Sequence, residues 1–201
     1  MEDLNFIPSD REVRLEPNQS LIFKFSNEYK LEYVNDFFTD FTGYEIHDVI
    51  GEGVEGMKHS DIPKLISSML YESVENKKNI NIILKNTTKD GRFYWFLTDF
   101  QYEIDEENKL LSFKYYRRFP SKSAIPTLEK LYKKLLDIEN HASIEVAEKY
   151  LYGFLEEKNM SFSEYTAFLS KGEDFKSMVQ KVETSQNLPA GKAGKKSWFR
   201  K

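Results

Sequence analysis

The sequence predicts an α+β domain: a five-stranded antiparallel sheet with flanking helices, followed by a helical extension. Between residues 20 and 119, five segments alternate apolar and polar side chains with the period of two that is typical of strands. Short segments broken by glycines separate the second of these strands from the third. After Pro126 the apolar residues recur at helical spacing, which indicates a different kind of structure.

The first two strands are predicted to form a hairpin. LIFKF places three apolar side chains on one face, SNEYK supplies a turn, and LEYV is the returning strand. Asn35 follows directly and has the chemistry of an N-cap for the short helix in DFFTDFTGY. Gly43 is suited to end that helix because it tolerates a left-handed backbone conformation.

A longer helix and three more strands complete the predicted domain. Asp61, with Pro63 two residues later, has the pattern of a helix start before LISSMLYESVENKK. The strands are NINIILKN, RFYWFLTDFQYEI and KLLSFKYYRRF, and an Asp-Gly turn joins the first two. Alternation directs Phe96 and Tyr115 into the interior and places Trp95 on the opposite face, under a flanking helix.

The chain divides into five parts by composition and period. Beyond the domain, TLEKLYKKLLDIE, SIEVAEKYLYGFLEEK and SFSEYTAFLS are amphipathic, so they need a partner surface: each other, the sheet or a second chain. The basic end of the chain has lost this pattern and predicts disorder. The predicted parts are an N-terminal arm at 1–19, the domain at 20–119, a linker at 120–126, a helical extension at 127–171 and a basic tail at 172–201.

Composition excludes several classes of function. The 201 residues include no cysteine, which rules out disulfides, thiolate metal sites, a cysteine nucleophile and a flavin–cysteine adduct. The formal charge of −4 gives no general attraction to nucleic acid or anionic membrane. Neither a signal peptide nor a run of ~18 apolar residues is present, so a cytoplasmic protein without a membrane span is expected. No phosphate-binding glycine loop or nucleophile elbow points to an enzyme.

Two longer motifs resemble those of PAS domains. YVNDFFTDFTGYEIHDVIG is similar to the family's Y-x-N-x-x-F-x-x-x-T-G-Y-x-x-x-(E/D)-x-(I/L)-G segment, and KDGRFYW is similar to its K-D-G-x-x-(Y/F)-W hairpin. KHSDIPK further resembles the R-H-P-D-M-P segment of bacterial aerotaxis receptors, whose PAS domain binds FAD and reports redox state. The resemblance implies a PAS fold over residues 20–119 and a sensory module that is not an enzyme.

The resemblance also implies a set of ligand-binding residues. Three come from the KHSDIPK segment, where a lysine replaces the family's arginine: Lys58, His59 and Asp61. Three more match polar positions around the family's ligand cavity: Asn35, Asn86 and Arg117. FAD is the cofactor that the resemblance favours. Haem is less favoured, and an interior without any ligand is an equal alternative.

Several of these residues have a second interpretation. Asp61 is explained by helix capping alone, and His59 would supply an axial nitrogen if the ligand were haem. Arg117 shares the inward face of the last strand, so it needs a partner. That partner is either a carboxylate on a neighbouring strand, Asp99 or Glu103, or a phosphate of the ligand.

The sequence departs from the aerotaxis pattern in ways that reduce the interior. Ile80 stands where that pattern has an aromatic residue, and Phe96 and Tyr115 point inward. An isoalloxazine needs several hundred Å³, so these rings predict a shrunken cavity. Three functions stay open. One is a sensory module, with FAD as the candidate ligand, that relays through the helices at 127–170 to a signalling partner or a second copy. The second is a ligand-free interaction scaffold with a filled core. The third is a regulatory subunit whose basic tail docks on nucleic acid or membrane.

Overall fold

The computed structural model describes residues 10–53 and 57–171, which form one antiparallel sheet and six helices. The strand order across the sheet is β2-β1-β5-β4-β3. The α+β class and the five-stranded sheet with flanking helices are confirmed. The strands are β1 (Leu21–Ser26), β2 (Leu31–Val34), β3 (Ile83–Thr87), β4 (Phe93–Ile104) and β5 (Leu110–Arg118); the helices are α1 (Phe37–Thr42), α2 (Ile46–Val49), α3 (Lys64–Glu75), α4 (Ala124–His141), α5 (Ile144–Glu156) and α6 (Phe162–Ser170).

The inner face of the sheet is aromatic. Alternate residues of β1, β4 and β5 point toward α1 and α3 and pack ring against ring, as in Phe25 on Phe113 with centroids 5.2 Å apart. Phe100 stacks on Tyr115 at 4.7 Å, and Phe96 lies 6.1 Å from the same ring. The inward placement predicted for Phe96 and Tyr115 is therefore confirmed.

The strand β3 begins later than predicted. NINIILKN was expected to be extended from Asn79, but the first residue of β3 is Ile83. The hydroxyl group of Thr98 accepts from the Ile82 amide at 3.1 Å and donates to the Ile80 carbonyl at 2.9 Å. Side-chain hydrogen bonds thus replace part of the strand ladder before β3.

The helix caps predicted from sequence are wrong in two places. Asn35 does not cap α1, because its Oδ1 accepts from the Ile22 amide at 2.9 Å and its Nδ2 donates to the Ser20 carbonyl at 3.1 Å. Asn35 therefore fastens the start of β1. Asp61 does not cap α3, which begins at Lys64 after Pro63.

The C-terminal helices pack on each other and on the outer face of the sheet. Tyr132 of α4 lies 6.3 Å from the Trp95 ring, as the outward placement of Trp95 predicted. Its hydroxyl group donates to the Ile83 carbonyl at 2.6 Å. Helix α4 begins at Ala124, so part of the predicted linker is helical, and Pro126 lies in the first turn, where proline is tolerated.

Part of the outer edge of β3 is bonded by other segments of the chain. Lys58 forms an isolated antiparallel bridge with Asn86, and the His59 amide donates to the Lys85 carbonyl at 3.2 Å. Further along, Thr87 Oγ1 donates to the Met57 carbonyl at 3.3 Å, and Tyr132 occupies the Ile83 carbonyl. The Ile83 and Lys85 carbonyls on this edge are therefore already bonded.

The predicted arm is partly described. The Val13 amide donates to the Phe93 carbonyl at 2.8 Å, and the Phe93 amide donates to the Arg11 carbonyl at 3.0 Å, so this segment joins β4 at its start. Residues 1–9 and the predicted basic tail at 172–201 lie outside the described residues. Across residues 10–53 and 57–171, no helix combines the length and the apolar character needed to cross a bilayer.

Candidate ligand site at Arg117

Arg117 lies near the end of β5 with its side chain on the inner face, and it is 1% exposed. Its Nη1 donates to the Tyr94 hydroxyl at 2.8 Å. The amide of Asn86 satisfies both of its ends when its oxygen faces Arg117, accepting from Nη1 at 2.8 Å while its nitrogen donates to the Lys85 carbonyl at 3.1 Å. The strand register therefore brings three polar side chains together inside an aromatic core.

Three rings surround the guanidinium group. Its central carbon lies 4.0 Å from the Phe23 ring centroid, 4.4 Å from that of Phe96 and 4.8 Å from that of Tyr115. Each such contact stabilises a cation by about 0.5–2 kcal/mol, with the larger values in desolvated places. The rings compensate part of the cost of burying the charge, without replacing an anion.

Neither carboxylate proposed as the partner of Arg117 reaches it. Asp99 pairs with Arg118 at 3.5 Å, on the outer side of the sheet, and Glu103 accepts from the Ser112 hydroxyl at 2.7 Å. Within residues 10–53 and 57–171, Arg117 forms no ion pair. The carboxylate alternative is therefore wrong for Asp99 and Glu103.

A small cavity adjoins this cluster, and a larger one lies beside it. The first has a volume of about 30 Å³, and its wall includes Lys58, Ser67, Asn86 and Arg117. The second has a volume of about 230 Å³ and is mainly aromatic. The two cavities share three wall residues, Leu70, Tyr71 and Tyr115.

Two polar atoms beside the small cavity have no partner. Arg117 Nε and the Tyr115 hydroxyl are fully buried, and neither makes a hydrogen bond within the described part of the chain. Burial raises the pKa of Tyr115 far above its ordinary value, with the nearby Arg117 charge acting in the opposite direction, so the hydroxyl stays protonated. Buried groups of this kind are normally satisfied, and both residues belong to the wall of the small cavity.

The structure brings together three of the six predicted ligand residues. Lys58, Asn86 and Arg117 line the small cavity. Asn35 lies at the start of β1, with its amide bonded to the backbone there. Sequence reasoning missed Tyr94 and Ser67, although the inward alternation of β4 does place Tyr94 on the Phe96 face.

His59 and Asp61 lie outside this cavity, toward the outer face. The His59 ring lies 5.9 Å from that of Phe93, and its Nδ1 accepts from the Asp61 amide at 3.1 Å. Asp61 pairs with Lys85 at 2.5 Å, and Lys85 in turn lies 4.0 Å from the Phe93 centroid. Burial, and then the Lys85 charge, lower the pKa of His59, whereas Asp61 raises it.

The cap of α3 comes from the C-terminal extension. Pro63 offers no side-chain cap, and the carboxylate of Glu139 on α4 takes that role. Its Oε2 accepts from the Lys64 amide at 3.0 Å and its Oε1 accepts from the Leu65 amide at 2.9 Å. Two of the free donors that every helix start carries are thereby satisfied by a negative charge at the positive end of the helix dipole.

The interior does not fit FAD in this conformation. Pockets for drug-sized and cofactor-sized ligands have volumes of about 300–1,000 Å³, and the two cavities fall below this range. Phe96 and Tyr115 are both buried in the interior, with ring centroids 6.1 Å apart, and they occupy part of its volume. His59 does not line either cavity, so it is not placed to ligate a haem there.

The chain resembles a bacterial receptor over about half of its length. It is similar to the aerotaxis receptor of Escherichia coli (strain K12), with 25% identity over 105 residues that make up 52% of this chain and 21% of the receptor. The chain therefore spans about a fifth of that relative's length. No protein-family model matches the chain.

Solved structures show the same fold. A light-oxygen-voltage domain from a study of a flavin analogue superposes with a TM-score of 0.50 at 16% identity, covering 56% of this chain and 85% of that one. The PAS domain of the fruit-fly ELK potassium channel gives 0.45 at 19% identity, covering 50% and 85%. The fold is that of the PAS and light-oxygen-voltage domains. The chain therefore has the PAS fold, and about half of its sequence is similar to an aerotaxis receptor.

Proposed function

We propose that this PAS domain is a non-enzymatic signalling module in which α3 reads the state of the interior and passes it to helices α4 to α6. These helices then present the signal to a protein partner or to a second copy of the chain. The observation that carries the proposal is the pair of hydrogen bonds that the Lys64 and Leu65 amides donate to the Glu139 carboxylate.

Helix α3 is suited to read the interior because its side chains line both cavities. Ser67 faces the small cavity, Val74 faces the larger one, and Leu70 and Tyr71 border both. A ligand that displaces any of these side chains acts on α3 as a whole, because a helix moves as a rigid element. A ligand can shift this equilibrium only by the difference in its affinity for the two positions of α3.

Glu139 supplies the connection from α3 to the extension. Its carboxylate holds two backbone amides, so a displacement of α3 lengthens both hydrogen bonds at once. Helix α4 also holds the outer face of the sheet through Tyr132. The extension is therefore bonded to both sides of the ligand site, and its docking depends on their relative position.

The change that tests this connection is Glu139→Gln, measured by hydrogen exchange on the full chain. The amide side chain keeps one acceptor oxygen and loses the charge, so we expect a loss of about 1 kcal/mol at the α3 cap. Exchange should become faster in the first turn of α3 and in α4. Glu129→Gln is the matched control, because Glu129 lies exposed on the same helix and should leave both regions unchanged.

Coupling between sites is reciprocal, so a connection that carries a signal outward must also act inward. If Glu139→Gln leaves exchange in α3 and in the strands around Arg117 as slow as in the Glu129→Gln control, the cap is not a relay. The proposal would then lose its physical route.

Redox sensing through FAD is a second candidate function. It is favoured by the similarity to the aerotaxis receptor and by the likeness to a domain studied with a flavin analogue. The volume of the interior counts against it. The absorbance spectrum of freshly purified protein from about 300 to 600 nm tests whether a cofactor is bound. A flavin spectrum would mean that Phe96 and Tyr115 move apart. A spectrum without bands in this range would exclude both FAD and haem as bound cofactors.

A further inference from the structure

Arg117 is a buried positive charge, and no carboxylate of the described residues pairs with it. A guanidinium group stays protonated under all ordinary conditions, and buried charges in proteins are normally paired. Arg117 is 1% exposed, so a carboxylate of the chain could pair with it only from within the domain. No carboxylate in residues 10–53 and 57–171 does so. Aromatic rings and two neutral hydrogen-bond acceptors surround it instead.

The wall of the small cavity is mainly apolar, and its polar residues include Lys58, Ser67 and Asn86. Arg117 Nε and the Tyr115 hydroxyl are buried beside it and form no well-aligned hydrogen bond within the described part of the chain. The Asn86 oxygen already accepts a hydrogen bond from Arg117. A water molecule would satisfy the hydrogen bonds, but it would leave the charge uncompensated. A cation would be repelled.

We propose that this cavity binds a single monoanionic group, ion-paired with Arg117 and hydrogen-bonded by Tyr115. A volume of about 30 Å³ suits chloride, nitrate or one carboxylate head group, and it is too small for a nucleotide. The inference deepens the proposed function, since it names the ligand class of the site that α3 reads.

The neighbouring cavity extends the ligand class. Its wall carries Phe25, Tyr29, Phe100 and Phe113, and it shares Tyr115 with the small cavity. A small aromatic carboxylic acid would place its charged group at Arg117 and its ring among these side chains. The same anion chemistry therefore has two sources, an inorganic ion or an organic acid.

Titration calorimetry on the full chain in chloride-free buffer distinguishes these sources. The probes are chloride, nitrate, phenylacetate and the neutral phenylacetamide. Phenylacetate is expected to bind at least tenfold more tightly than phenylacetamide, because only the acid offers a charge to Arg117. Binding of chloride or nitrate in preference to phenylacetate would assign the site to an inorganic anion and would still support the inference. Equal binding of phenylacetate and phenylacetamide would reduce the site to an apolar pocket and overturn it.

Variants locate the bound charge. Arg117→Met should abolish binding of the anions, and Tyr115→Phe should weaken it several-fold while preserving the packed ring. Arg118→Gln is the matched control, because this neighbouring arginine is exposed and pairs with Asp99 on the outer side. Unchanged affinity in both Arg117→Met and Tyr115→Phe would overturn the inference, even if one variant proved unstable.

An internal carboxylate is the remaining competitor. Glu55 lies three residues before Lys58 in the sequence and outside the described residues. If Glu55→Gln strengthens chloride binding tenfold or more, a carboxylate of the chain itself fills the site and the inference fails. Unchanged affinity in Glu55→Gln supports an external anion.

Binding and relay fail separately. If phenylacetate binds without changing hydrogen exchange in α4, the anion site stands and the proposed relay falls. If none of the four probes binds, the anion site falls, and the Glu139→Gln experiment still decides the relay.

Discussion

Two buried cations lie on opposite faces of the same sheet, and the chain treats them differently. Lys85 points outward, its side chain is 6% exposed, and Asp61 pairs with it at 2.5 Å. Arg117 points inward, is 1% exposed and receives no carboxylate within the described residues. Both lie on aromatic rings, at 4.0 Å from Phe93 and 4.0 Å from Phe23 respectively. Among the described residues, the outward cation therefore has a counter-ion and the inward cation has none.

Removing the carboxylate on the outer face gives the largest expected effect. Asp61→Ala leaves the Lys85 ammonium buried and unpaired, which costs about 3–5 kcal/mol for fully buried pairs. Asp61 is 50% exposed, so we expect a loss of roughly 1–3 kcal/mol in the free energy of unfolding, measured in urea. Asp137→Ala, which removes an exposed pair with Lys134, should cost less than about 0.5 kcal/mol.

Removing the inner cation should cost less. Arg117→Met removes the cost of an unpaired buried charge, and this gain offsets the loss of the hydrogen bonds that Arg117 donates to Tyr94 and Asn86. In chloride-free buffer we expect the free energy of unfolding to change by about 1 kcal/mol or less. A loss larger than that of Asp61→Ala would show that contacts within the chain already satisfy Arg117, and the contrast between the two faces would disappear.

The smallest expected effect is a pH dependence from His59, which adjoins the outer pair. Burial and the Lys85 charge lower its pKa below the ordinary 6.5, so the unfolded chain binds a proton more readily than the folded one. The free energy of unfolding should therefore fall as the pH drops below 6.5, until the folded pKa is reached.

His59→Gln should flatten this part of the pH profile, as followed by urea unfolding at closely spaced pH values. His47→Gln is the control, since the His47 side chain is 82% exposed. The same slope in His59→Gln and in the unmodified chain would mean that another group titrates.

Local patterns predicted the sheet well and the helix caps in part: Gly43 ends α1 as predicted, whereas Asn35 and Asp61 cap no helix. Alternation placed Phe96, Tyr115 and Trp95 on their observed faces, because a strand's side-chain period follows from its backbone alone. The chemistry of a capping side chain does not show which backbone amides it will bond to, since these can be far away in the sequence. Asn35 has the right side chain to cap α1 but bonds to β1, and the cap of α3 comes from Glu139, 74 residues beyond Leu65.

The candidate site shows the same limit. Inward alternation indicated that Asn86 and Arg117 share a face, and the register of β3, β4 and β5 then brings them together. The side-chain directions around Lys58 were harder to predict, because this segment is irregular and successive side chains point to different surroundings. Lys58 reaches the cavity, whereas His59 turns to Phe93 and Asp61 to Lys85. A motif match fixes which residues are present, but the backbone path decides which of them meet.

The bonded outer edge of β3 restricts how this domain can associate with other chains. An open edge strand invites a foreign strand to continue the ladder, which is a common route to misassembly and also to peptide capture. Between Ile83 and Thr87 the backbone carbonyls are already held by Tyr132 and His59. Recruitment of another polypeptide by strand addition on that side would first require α4 to detach, so docking of the extension would also control access to the edge.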